Sequence, residues 1–262
     1  MKKIYTQLIK GIKEFGRATG IKRAIIGLSG GLDSAVVAVL AADALGARNV
    51  FGAAMPSKYT SKLSNESAAR LAGNLRINFT LRPIIPFFDL ALKEFKEEFP
   101  SGLCPLAEQN LQSRLRGIIL MTFANQLNGA VLATGNRSEI YTGYCTLYGD
   151  TCGSLAPLAN LYKTEVYKLA EYINRNKEII PREIIARAPS AELAPNQKDS
   201  DELLPYEQLD IIIEEYIFKK AQLADIAKKS KSNKTDVKRI IQKIESSAFK
   251  RRQLAPGIAL NK

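Results

Sequence analysis

The residues best suited to chemistry lie in Gly27-Leu28-Ser29-Gly30-Gly31-Leu32-Asp33-Ser34, between an apolar stretch at 24–28 and a helix-forming stretch from Ala35 to Leu40. Glycines let the backbone take positive φ and approach a ligand closely. Successive amides then form an anion-binding nest at the positive end of the following helix. Ser29 and Ser34 add hydroxyl donors. The loop has neither the Gly-Lys-Ser/Thr of a Walker A motif nor GxGxxG. Asp33 would repel a bare phosphate, so its charge makes sense if it holds a Mg²⁺ riding on the phosphates. Its other reading is an acidic N-cap in a glycine turn.

A second group of polar residues is Ala133-Thr134-Gly135-Asn136-Arg137-Ser138-Glu139, followed by Tyr141-Thr142-Gly143-Tyr144 and Tyr148-Gly149-Asp150. A third lies in Glu108-Gln109-Asn110-Leu111-Gln112-Ser113-Arg114-Leu115-Arg116, where Asn110 and Arg114 are four apart and share a helix face. Near a helix start they suit a carboxylate or phosphate ligand. A solvated polar face is the alternative. Glu139, inspected alone, reads as a surface glutamate.

The chain has no histidine, which removes an imidazole base, a Ser-His relay and a His-ligated metal. Three cysteines, Cys104, Cys145 and Cys152, lack CxxC spacing. That argues against a disulfide framework or zinc and for buried or half-buried free thiols. Chemistry must then run on carboxylates, hydroxyls, cations and backbone amides.

Periodicity predicts how these groups are positioned. Ile4, Leu8, Ile9, Ile12 and Phe15 make one stripe of a helix over 4–18. Apolar strands are expected at 24–28, 50–55, 79–85 and 130–134. Helices are expected through 35–40, from an N-cap at Ser64 to about Leu75, from 106 to 127, and from 164 to 174. Apolar strands alternating with helices indicate a doubly wound parallel sheet with helices on both faces, giving an α/β fold. Ligands sit beyond the carboxyl ends of such strands, near a switch in strand order. The loops after Leu28, Met55 and Thr134 are the places to look. Residues 188–205, rich in Pro, Ser, Asn, Asp and Lys, form a long loop that is either a mobile lid or plain surface. Residues 206–262 read as a basic, helical C-terminal part.

With 262 residues, 46% hydrophobic and 24% charged, the chain is long enough for a sizeable core and is expected to be one domain over 1–262. Neither a bilayer-spanning apolar run nor a secretory leader is seen, so a cytoplasmic location without membrane association is expected. The net charge of +12 favours polyanionic partners without choosing among them.

The stretch Ser29–Ser34 resembles the SGGxDS loop of the N-type ATP pyrophosphatases, and nearly all of the chain resembles the NAD synthetase family within that superfamily. The resemblance implies an adenine nucleotide alpha hydrolase-like fold and an ATP-dependent ligase with Mg²⁺ as cofactor. Deamido-NAD, ATP and ammonia would be the substrates. Gly27 to Ser34, Thr134, Lys163 in Leu161-Tyr162-Lys163-Thr164-Glu165-Val166, and Ser190 in Ala188-Pro189-Ser190-Ala191-Glu192-Leu193 would meet ATP. Asp33 and Glu139 would share the metal, with Asp33 and Lys163 catalytic. Asn110, Arg114, Glu139 and Lys250, in Phe249-Lys250-Arg251-Arg252, would serve deamido-NAD. Lys198, Asp199, Asp201 and Glu202 would belong to a lid that orders over substrate. A homodimer is expected, with no nucleic-acid partner. Leu147 and Ser154 depart from the ammonia-dependent pattern and look like glutamine-dependent synthetases, yet 262 residues leave no room for their amidase. Free ammonia and a separate glutaminase both stay open as nitrogen sources. The rival readings are a tRNA-modifying or GMP-forming relative and a helix-turn-helix built from 223–228 and 237–241.

Overall fold

Strands β1 (Arg23–Gly27), β2 (Val50–Ala54), β3 (Asn78–Leu81) and β4 (Gly129–Val131) form a parallel sheet in the order β3-β2-β1-β4. The computed structural model describes residues 1–195, 197 and 199–261. After β3 the chain crosses to the far side of β1, so the strand order switches between β1 and β4. In register, Arg23 pairs with Gly129 and Ile25 with Val131.

The helices are α1 (Lys2–Thr19), α2 (Leu32–Leu45), α3 (Lys62–Leu75), α4 (Ile85–Glu94), α5 (Pro105–Gln126), α6 (Arg137–Thr142) and α7 (Lys163–Ile173). A C-terminal group follows: α8 (Arg182–Ala186), α9 (Tyr206–Ile213), α10 (Leu223–Ser230), α11 (Lys234–Ser246) and α12 (Ala248–Arg251). Alternation along β1 decides the layers. Ala24 and Ile26 join a core with α1, α2, α3 and α7, whereas Ile25 points the other way to Ile119, Leu120 and Ala124 of α5. Helix α2 is apolar all round because it is buried all round, from Ala35 to Ala41. A separate core of Leu209, Ile212, Ile213, Ile226, Val237, Ile240 and Ile244 unites α9, α10 and α11. Among the described residues no helix is long and apolar enough to cross a membrane.

The expected doubly wound parallel sheet is present, with three local corrections. The strand expected over 79–85 ends at Leu81, and α4 begins at Ile85. Pro83 cannot donate to the ladder, and Pro86 has the fixed φ that suits a first helical turn. Ser64 does not cap α3; Ser61 does, its hydroxyl accepting the Ser64 amide at 3.1 Å. The strand expected to run to Thr134 ends at Val131, so Thr134 belongs to the loop that enters α6.

Candidate active site

Both halves of the site lie at the carboxyl end of the sheet, on either side of the switch. The loop after β1 is braced from within. Ser29 and Ser34 hydroxyls lie 3.1 Å apart, Ser34 Oγ donates to the Gly31 carbonyl at 3.0 Å, and the Gly31 amide donates to Ser29 Oγ at 3.2 Å. Ser34 is therefore buried in loop architecture, while Ser29 is exposed. Gly30 has φ +77°, and a Cβ there would sit 2.3 Å from the Ser64 carbonyl oxygen. The absent side chain lets the loop lie directly on α3. The first amides of α2, from Leu32 to Ser34, point out of the helix end without intrahelical acceptors. This is the geometry of an anion nest.

Beyond β4, Asn136 opens α6 through a capping box. Its side chain accepts the Glu139 amide at 3.1 Å, and Glu139 accepts the Asn136 amide at 3.2 Å. Asn136 also reaches across the switch and donates to Asp33 Oδ1 at 3.1 Å. Lys163, the first residue of α7, lies between the two acidic residues: its ammonium pairs with Asp33 and approaches Glu139 to 3.4 Å. Asp33, Glu139 and Lys163, distant in sequence, thus share one cluster. Burial raises the Glu139 pKa, Lys163 opposes that rise, and Asp33 adds to it. Burial works against the Lys163 charge, but Asp33 and Glu139 outweigh it and hold the ammonium protonated.

Asp199 of the 188–205 loop also faces this cluster and accepts from the Tyr206 hydroxyl at 2.7 Å. The loop is not plain surface where it is described. Ser190 donates to the Gln197 carbonyl at 2.5 Å, and Glu192 pairs with Arg187 and accepts from Ser64 Oγ at 2.9 Å. Lys198 lies outside the described residues, and Glu202 pairs with Lys243 at 3.2 Å on an exposed face.

Asn110, Arg114 and Lys250 converge elsewhere, on the segment 143–150 that continues from α6. Asn110 accepts the Thr146 hydroxyl at 2.7 Å, Arg114 donates to the Leu147 carbonyl at 3.2 Å, and Lys250 donates to the carbonyls of Gly143 and Cys145 at 2.8 and 2.7 Å. Asp150 closes the same segment by accepting the Thr146 amide at 2.6 Å and the Ser113 hydroxyl at 3.2 Å. This braced segment follows directly on α6, which carries Glu139 of the nest-and-carboxylate cluster.

Sequence reasoning passed over Asn136 and Ser138. The Asn-x-x-Glu spacing of a capping box was the available signal for Asn136. Nothing in sequence marks Ser138, whose hydroxyl accepts the Lys163 amide at 2.9 Å. The thiols also need correction, because Cys104 is exposed rather than buried. Burial, with Asp150 adding to it, pushes the Cys145 thiol up to about 12. Alkylation with iodoacetamide at pH 8 is therefore expected to label Cys104 and leave Cys145 a thiol, as read by peptide mass spectrometry. Equal labelling of both would contradict the burial assigned to Cys145.

Asp33 and Glu139 offer carboxylate oxygens beside an anion nest, the donor chemistry that suits Mg²⁺ when phosphate and water oxygens complete the shell, and the Lys163 ammonium lies between them in this structure. The sheet, its switch point and this paired site define an α/β protein of the adenine nucleotide alpha hydrolase-like class. The chain matches the family model for NAD synthase over residues 4–254, and it belongs to that family. It is 44% identical to the glutamine-dependent NAD(+) synthetase of Thermotoga maritima, in a match covering 98% of this chain and 45% of that one. The chain thus spans about half the length of the curated relatives it matches. Two solved structures match over nearly their whole length. NMN synthetase from Francisella tularensis has a TM-score of 0.80, is 29% identical, and is matched over 100% of this chain and 98% of that one. NH3-dependent NAD synthetase from Campylobacter jejuni has a TM-score of 0.76, is 26% identical, and is matched over 95% of each.

Proposed function

We propose that this chain converts the free carboxylate of deamido-NAD to the amide of NAD, using ATP and ammonia. The convergence of Asp33, Glu139 and Lys163 beside a glycine-serine nest carries this reading. A carboxylate is a poor electrophile because oxide would have to leave. Its oxygen attacks the α-phosphorus of ATP, the bond to the bridging oxygen of the β-phosphate breaks, and pyrophosphate departs. Ammonia then attacks the acyl carbon, the bond to AMP breaks, and one proton is released. The reaction needs no imidazole, in keeping with a chain that has no histidine.

The Leu32 to Ser34 amides and the Ser29 hydroxyl would hold departing pyrophosphate. Lys163 offsets its charge from the other side, and Thr134 and Ser190 flank ATP. Asp33 and Glu139 would hold a Mg²⁺, which supplies charge neutralisation on phosphate oxygens. Asn110, Arg114 and Lys250 shape the 143–150 segment as the deamido-NAD side.

Incubation with ATP, Mg²⁺ and deamido-NAD should release AMP and NAD in equal amounts with ammonium, and little with glutamine alone. The full-length likeness to an ammonia-dependent structure supports the donor. AMP release driven by tRNA or xanthosine monophosphate instead would refute the substrate. The match to an NMN synthetase favours one second reading, a mononucleotide substrate, and nicotinate mononucleotide belongs in the same assay. Helices α10 and α11 bury Ile226, Val237 and Ile240 in the C-terminal core, an ordinary helix pair, and a gel shift with generic DNA should be weak and vanish with salt.

A further inference from the structure

We propose that Asp210 is a positioning residue: its buried carboxylate locks the first turns of α6 and α7 together and thereby fixes the Lys163 ammonium between Asp33 and Glu139. This rests on the function proposed above. Asp210 lies on α9, away from the sheet, and is 6% exposed. Its Oδ1 accepts the Ser138 hydroxyl. Its Oδ2 accepts both the amide and the hydroxyl of Thr164, at 3.1 and 2.8 Å. Ser138 Oγ in turn accepts the Lys163 amide at 2.9 Å. The residues gripped are thus the immediate neighbours of Glu139 and Lys163.

Packing alone does not call for a carboxylate here. Leu209, Ile212 and Ile213 already fill the apolar contacts of α9, and α9 packs on both α6 and α7. A buried carboxylate costs stability unless it is well bonded. It does, however, offer acceptors in several directions at once, whereas an amide of the same shape turns a donor toward one of its partners. It also faces the positive end of α7. Hydroxyls and an amide aimed at one acid fix a distance that apolar packing leaves adjustable. Lys163 depends on that distance, because its ammonium must meet carboxylates carried by two different elements.

The test is a double-mutant cycle between Asp210→Asn and Lys163→Met, read on adenylation rate and on ATP binding by calorimetry. Asp210→Asn should lower the adenylation rate about 10- to 100-fold and weaken ATP binding several-fold. In the Lys163→Met background the same change should cost less than about 2-fold in either measure, because the residue it positions is gone. Equal losses in both backgrounds, or a wild-type rate for Asp210→Asn, would overturn the proposal. A residue that merely stabilises the fold would lower Tm and produce those equal losses. Should Asp210→Asn fail to fold, Thr164→Val keeps the amide bond and removes one hydroxyl, with an expected loss of about 3- to 10-fold and the same coupling. A wild-type chain that does not amidate deamido-NAD would end the proposed reaction, and the calorimetric cycle would still decide the role of Asp210.

Discussion

Replacing Asp33 with asparagine is expected to slow adenylate formation by about 10³-fold or more, equivalent to roughly 4 kcal/mol of transition-state stabilisation. The substitution keeps the shape and one acceptor, so the hydrogen bond from Asn136 can persist. What goes is the charge. Asp33 pairs with Lys163, and without it the ammonium keeps Glu139 at 3.4 Å and the more distant field of Asp199. The proposed metal loses one of its two protein carboxylates in the same stroke. Removing one partner of a buried pair also destabilises, by about 1–3 kcal/mol here because Glu139 remains. Thermal melts should therefore show a folded protein of lowered Tm. Pyrophosphate release measured beside those melts separates the two effects, and near-normal turnover by the folded variant would remove Asp33 from the chemistry.

Gly30→Ala is the second large effect, and it acts through the backbone. The new Cβ would stand 2.3 Å from the Ser64 oxygen and 2.7 Å from its Cα. Those atoms belong to the first turn of α3, which cannot rotate aside as a side chain can. Alanine at φ +77° adds roughly 1–2 kcal/mol of its own. The loop must lift off α3 and carry the α2 amides with it. ATP affinity is expected to fall about 100-fold, and stability by about 2–4 kcal/mol. Gly73→Ala, in the same helix, is the control, since its Cβ would meet nothing within 4 Å. Calorimetry on both variants checks the contrast; unchanged ATP binding by Gly30→Ala would mean the loop does not hold phosphate.

The sheet was legible because its strands are short apolar runs set between amphipathic stretches, a pattern that burial on both faces imposes on any parallel strand. Helix α4 was not legible. Ile84, Ile85 and Phe88 extend the apolar run of β3, and periodicity cannot separate a buried strand from a short helix in so few residues. The glycine-serine turn after β1 could be read outright, since its glycines and serines act within six residues of one another. Asn136 was half legible, through its spacing to Glu139.

Sequence by itself determined the nest after β1, the layered sheet, and the absence of imidazole chemistry, all properties of residue type and near spacing. Only the tertiary structure decided that Lys163 sits between Asp33 and Glu139, that Asn136 spans the switch, and that Asp210 ties α6 to α7. These contacts join residues dozens of positions apart. Sequence spacing carries no distance information at that range, because the path between them is set by how the chain crosses the sheet. Once β4 pairs with the far edge of β1, the ends of α2, α6 and α7 are forced into one place.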